Sequence, residues 1–214
     1  FLMFFTIFFA MIFGDGGYGS LIFLFALYSI ISSAIRRRPV PQFLKLVLLL
    51  SGATVVWGFI SGSWFGIDFN KLPQLLQNSV LPWISPKNPK ATENAQVLCF
   101  VIGLVQLSIA HLKNIVRDFP SPKFIGQVGQ LAMVNGMFYI VLYIIVSPER
   151  YPIPGWALIL IGAGFAASFL FSSFDDSKHN FVKGLASGVL AQLQNIIPVL
   201  LGVVNVFGDI LSYI

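Results

Sequence analysis

Between Phe43 and Gly66 the only charged side chain is Lys45. A run that long and that apolar cannot be coated by water, and the same pattern recurs along the chain. Apolar segments cover residues 1–13, 17–35, 43–66, 95–116, 125–147, 153–174 and 181–214. The middle five each run about 19–24 residues, enough for a helix to cross a hydrocarbon core of about 30 Å. A membrane barrel would need segments of about ten residues with strict alternation, and these runs are continuous. Charged residues make up only 10% of the 214-residue chain, against about 25% in soluble domains. The expected fold is therefore all-α: a polytopic transmembrane helical bundle of about six to seven membrane helices.

The connectors carry the polar punctuation. Arg36-Arg37-Arg38-Pro39-Val40-Pro41 is a basic stop followed by prolines. Residues 67–94 form the longest loop, where Pro73, Pro82, Pro86 and Pro89 argue against a continuous helix. Turns follow at 118–123, 148–153 and 175–180, and a further break is expected at 14–17. If every segment crosses, Arg36, Arg37, Arg38, Lys45, Lys113, Arg117, Lys123, Lys178 and Lys183 share one side. Lys71, Lys87, Lys90 and Arg150 share the other. The lysine and arginine excess makes the first side cytoplasmic and the 67–94 loop external. The net charge of +5 thus fits membrane orientation better than nucleic-acid binding.

Both ends are apolar, and the run 1–13 is too short to span, so both read as cuts inside helices. The chain is expected to be part of a membrane domain. Cys99 excludes an internal disulfide, and His111 and His179 are too few for a histidine-based zinc site. No phosphate-cradling Gly-rich loop and no Ser/His/Asp constellation is present, so neither a cofactor nor an ATP-hydrolysing site is expected. Glycine pairs (Gly52 and Gly58, Gly126 and Gly129, Gly162 and Gly164) suit closely packed helices.

Ionisable and strongly polar groups within such segments are expensive and need an account. Asp15, in Gly14-Asp15-Gly16-Gly17, reads as a helix N-cap or as a carboxylate in a water-filled path, and the two are compatible. Asp209 lies between Val206-Phe207-Gly208 and Ile210-Leu211 and should face protein or water. His111 follows Gln106 and Ser108 in one segment. It is either an interfacial hydrogen-bonded side chain or a proton relay. Gln192, Gln194, Asn195 and Asn205 form a polar series on the last segment, with Gln194 and Asn205 nearly on one face of a continuous helix. Pro198 should kink that helix. Such a series either hydrogen-bonds between helices or lines a hydrated path.

Four motifs add a resemblance. Met11-Ile12-Phe13-Gly14-Asp15-Gly16-Gly17-Tyr18-Gly19 resembles the "M-F-G-D-x-G-[HY]-G" signature of the V-type ATPase a subunit, called subunit I in prokaryotes. Ile60-Ser61-Gly62-Ser63-Trp64-Phe65-Gly66 is similar to that family's "Y-x-G-[FL]-x-Y-x-[ED]-[FW]-F", with Ser63 in the acidic position. Gly103-Leu104-Val105-Gln106-Leu107 resembles "G-[VI]-[IV]-H-[LM]", with Gln106 in place of His. Gly208-Asp209-Ile210-Leu211-Ser212-Tyr213-Ile214 is similar to "G-D-[VI]-L-S-Y-x-R-L". The resemblance implies a non-catalytic stator membrane subunit of a rotary V-type ATPase. Its half-channels would carry H⁺ or Na⁺ to and from a rotating proteolipid ring. Implied partners are that ring, the peripheral stalk, other subunits of the complex and the bilayer. The family's ion-displacing arginine would follow Ile214 directly, and a cytoplasmic domain would precede the chain. The prokaryotic look of the motifs implies a plasma membrane, or a vacuolar-type endomembrane in a eukaryote. The ion-path candidates are Asp15, Gln106, His111, Asn205, Asp209 and Ser212. A stand-alone secondary transporter or channel, with its site at broken helices near Asp15 and Pro198, is the alternative from another class. A purely structural anchor is a third.

Overall fold

A computed structural model describes residues 2–178 and 180–212. His179, Tyr213 and Ile214 therefore lie outside the described residues. The chain divides into two compact units, Phe1–Ala95 and Gln96–Ile214.

In the first unit, α1 (Leu2–Phe13), α2 (Gly16–Ile35) and α3 (Gln42–Ser61) pack together. The breaks at 14–17 and 36–41 fall where expected. Gly62 ends α3 with φ 76°, its N–H donating to the carbonyl of Gly58, the left-handed terminator that glycine supplies without steric cost. The apolar run 43–66 is thus not helical to its end. Hydropathy alone could not see this stop, because Trp64, Phe65 and Ile67 keep the run apolar beyond it. The following loop is built rather than loose. It holds a short 3-10 turn (Phe69–Lys71) and α4 (Gln74–Ser79) around a small core of Phe69, Leu72 and Val80. Asn94 closes the loop by donating to the Trp83 carbonyl at 2.6 Å.

The helix α5 (Ala91–Asp118) leads into the second unit, where α6 (Lys123–Val141) continues as a π-helical turn to Val146. Then come α7 (Gly155–Phe171), α8 (Phe181–Gln194) and α9 (Ile196–Leu211). Phe100, Val134, Phe138, Val141, Leu142 and Ile210 form its core. The α6–α7 pair is closely packed. A Cβ at Gly129 would stand 2.5 Å from the Gly164 carbonyl oxygen, and one at Gly164 would stand 2.5 Å from that of Gly129. Gly162, by contrast, faces open space.

All regular elements among the described residues are helical, as expected. Four are long and apolar enough to cross a membrane: Gly16–Ile35, Gln42–Ser61, Ala91–Asp118 and Lys123–Val146. A fifth span results if α8 and α9 count as one. This is fewer than six to seven, because α1 and α7 have only 12 and 17 residues. The outward face of α2 is apolar, with Leu24 at 59% and Phe25 at 66% exposure. Such a face suits lipid.

The last apolar run differs most from expectation. It is not one kinked helix but two, bent by 82° at Asn195. Pro198 sits in the first turn of α9, where its missing N–H costs little, and its ring cannot be accommodated under a helical Gln194 carbonyl. The break therefore falls three residues before the proline. Gln194 and Asn205 consequently sit on different helices, and the shared face expected for them does not form.

Candidate functional site

The two aspartates set in apolar sequence have different surroundings. Asp15 caps α2, its carboxylate accepting from the amides of Gly17 at 2.8 Å and Tyr18 at 3.0 Å. It also accepts from the amides of Phe65 at 3.0 Å and Gly66 at 3.1 Å. Those two residues have φ of 53° and 65°, which turns their N–H groups toward the carboxylate. Partial burial works to raise the Asp15 pKa, but the amides of Phe65, Tyr18, Gly66 and Gly17 outweigh it and hold the carboxyl below its ordinary value. The α2 start is then seated on the α3 end by glycines. A Cβ on Gly16 would meet Gly58 and the Trp64 ring, and one on Gly17 would run into the Phe65 ring.

Asp209 lines a cleft of about 400 Å³ in the second unit. Its polar lining comes from every helix of that unit: His111 of α5, Gln130 of α6, Ser168 of α7, Gln192 of α8 and Asp209 of α9. Ser172 and Asn195 line it too. The rest is apolar, including Met133, Phe165 and Val206. His111 Nδ1 lies 3.4 Å from Gln127 Oε1. Gln130 donates to Ser168 Oγ at 3.5 Å, and the Ser168 and Ser172 hydroxyls are 3.1 Å apart. Gln192 of α8 donates to Ser173 Oγ, in the turn after α7, at 2.8 Å. The Asp209 carboxylate has no hydrogen-bond or ion-pair partner among the described residues. Hydroxyls, amides, one imidazole and one carboxylate lining one cleft can solvate a cation or exchange a proton with water in otherwise apolar surroundings.

Of the six candidates, the structure brings His111 and Asp209 to one cleft. Asp15 belongs to the other unit. Gln106 is half-buried and outside the cleft lining, and Asn205 is exposed outside it. The Ser212 hydroxyl donates to the Asp209 carbonyl at 2.7 Å, a bond of the helix end. Sequence reading passed over Gln130, Ser168 and Ser172. Their signal was present: Ser168 and Ser172 are four residues apart and so share a helix face, and Gln130 adjoins Gly129, which touches that face.

Two turns of this unit are joined through Asp176. Asp176 accepts from Lys123 Nζ at 2.7 Å and from Ser121 Oγ at 2.6 Å, tying the 118–123 turn to the 175–180 turn. The Lys123 ammonium and Ser121 hydroxyl hold the Asp176 carboxyl below its ordinary value.

No family model and no solved structure matches the chain. Two curated proteins do. The chain is 36% identical over 216 residues to "V-type ATP synthase subunit I 1" of Treponema pallidum. It is 33% identical over 219 residues to "V-type ATP synthase subunit I" of Borreliella burgdorferi. Both alignments take in all of this chain and 34% of the relative, so the chain spans about a third of the length of the relatives it matches. Over its whole length, the chain is similar to one part of proteins named V-type ATP synthase subunit I.

Proposed function

We propose that this chain is the ion-conducting membrane part of a V-type ATP synthase or ATPase. Its cleft would be one half-channel, carrying H⁺ or Na⁺ between an aqueous face and a rotating ring of proteolipid subunits. The observation that carries this reading is the convergence of His111, Gln130, Ser168, Gln192 and Asp209 on one cleft within an apolar helical unit. Polar atoms so placed are costly in a bilayer unless water or an ion uses them. Asp209, with no internal partner, is the group that would attract a cation. Gln130, Ser168 and Ser172 would keep the path wet through mutually paired amide and hydroxyl groups. His111 would accept or donate a proton at the α5 wall.

On this reading the chain does not hydrolyse ATP. It works only with its ring and with the stalk that holds it still. The bacterial relatives favour a plasma membrane, with the Arg36–Arg38 side facing the cytoplasm. Asp15 has a different task. Four amides hold its carboxylate, so it fastens α2 to the α3 terminus and is not a stop on the ion's route.

The test is Asp209→Asn in the intact parent complex, with ion pumping and assembly measured together. Asparagine keeps the size and removes the charge. Pumping should fall several-fold while the complex stays assembled. Normal pumping would remove the cleft from the ion path.

A further inference from the structure

A second recess lies in the first unit and shares no residue with the cleft of the second. Phe9 and Phe13 of α1, Ile22 of α2, and Phe43, Val47 and Leu50 of α3 wall a groove of about 280 Å³. Two hydroxyls reach it, and both are already spent on their own helix. Ser51 donates to the Val47 carbonyl at 2.6 Å and Thr54 to the Leu50 carbonyl at 2.9 Å. No ionisable residue lines the groove. From Phe43 to Thr54 it follows α3 for about 16 Å. An occupant must be apolar along that length and thin, since a helix about 10 Å across needs far more room. An extended peptide would leave its backbone groups without partners. An alkyl chain meets both conditions.

The chemistry at the Phe43 end supplies the other half of the ligand. Arg36, Arg37 and Arg38 are exposed in the turn between α2 and α3, and exposed Lys45 follows in the first turn of α3. None of the four has a carboxylate partner among the described residues. No Asp or Glu occurs between Asp15 and Asp68, so the neighbouring sequence offers no neutralising charge. An apolar groove whose α3 wall starts at Phe43, five residues after Arg38 and two before Lys45, fits a ligand with an aliphatic tail and an anionic head. We infer that the α1–α3 unit binds one anionic phospholipid, an acyl chain lying along Val47–Thr54 and the phosphate held at Arg36–Arg38.

The experiment uses the full-length subunit in its purified complex, reconstituted in nanodiscs of phosphatidylcholine with or without phosphatidylglycerol. Native mass spectrometry then counts the lipids that stay bound. Phosphatidylglycerol should be retained in clear preference to phosphatidylcholine. Replacing Arg36, Arg37 and Arg38 by Gln should weaken that preference by about fivefold per charge at most. Val47→Trp fills the groove without touching charge, and it should lower retention of both lipids. Should that variant fail to assemble, phosphatidylglycerol with brominated chains in the unaltered complex gives the same answer, through bromine density between Val47 and Thr54. Equal retention of the two lipids, a preference unchanged by the arginine replacements, or bromine density absent from the groove would each overturn the assignment.

Discussion

The Phe65 amide donates to Asp15 Oδ1 at 3.0 Å, joining the first residues of α2 to the turn that ends α3. The same oxygen accepts from Gly17 and Tyr18, while Oδ2 accepts from Gly66. This division between the two oxygens separates two substitutions. Asp15→Asn can keep the three bonds to Oδ1 but turns an NH₂ group toward the Gly66 amide, and it should cost about 1 kcal/mol. Asp15→Ala loses the cap and leaves Phe65 and Gly66 unserved, at about 2 kcal/mol or more. Thermal unfolding of the two variants in detergent should rank them in that order, with pumping per assembled complex unchanged in Asp15→Asn. A pumping loss in well-assembled Asp15→Asn would return Asp15 to the ion path.

Close helix approach gives a second expectation. Gly164→Ala puts a methyl group against the Gly129 carbonyl oxygen and the Met133 backbone, so α6 and α7 must separate. Overpacking of this kind costs about 1–3 kcal/mol. Gly162→Ala, two residues away, meets open space and should be nearly silent. Melting temperatures of the two variants, compared directly, check the packing.

A third concerns pH. The folded-state pKa of Asp176 is depressed by Lys123 and Ser121. Its contribution to stability is present above the ordinary carboxylate value and is lost as pH falls through the lower folded value. Stability should therefore drop on acidification from about pH 5 to about pH 3 in the parent, and less steeply in Asp176→Asn. Because the pair is exposed, the difference should shrink in high salt. Identical acid profiles for the two proteins would contradict the role given to this link.

Orientation can be read with single cysteines in a Cys99→Ser background. Thiols at Ser33 or Lys178 should react with impermeant reagents from the cytoplasmic side, and one at Asn88 from the outside. The reverse pattern would overturn the reading of the lysine and arginine count.

Helix positions were legible in the sequence because burial in lipid needs only length and apolarity, which each segment displays by itself. The α2 start was legible as well, since Asp15 among glycines is a local capping signal. Two of the cleft's polar residues, His111 and Asp209, were legible, because an isolated carboxylate or imidazole stands out against apolar neighbours. The tertiary structure decided what depends on residues far apart in the chain. It made Asp15 a clamp by turning Phe65 and Gly66 toward it. It drew Gln130, Ser168, Gln192 and Asp209 to one cleft while leaving Asn205 outside. It chose Gly164 over Gly162 as the contact with α6. The bend at Asn195 also needed three dimensions. Pro198 announces that a helix cannot continue unbroken through this stretch, but the angle between the two pieces is set by what each packs against: α8 on α7, and α9 on α6. A sequence specifies each residue's own cost of exposure, and only packing specifies which neighbour relieves it.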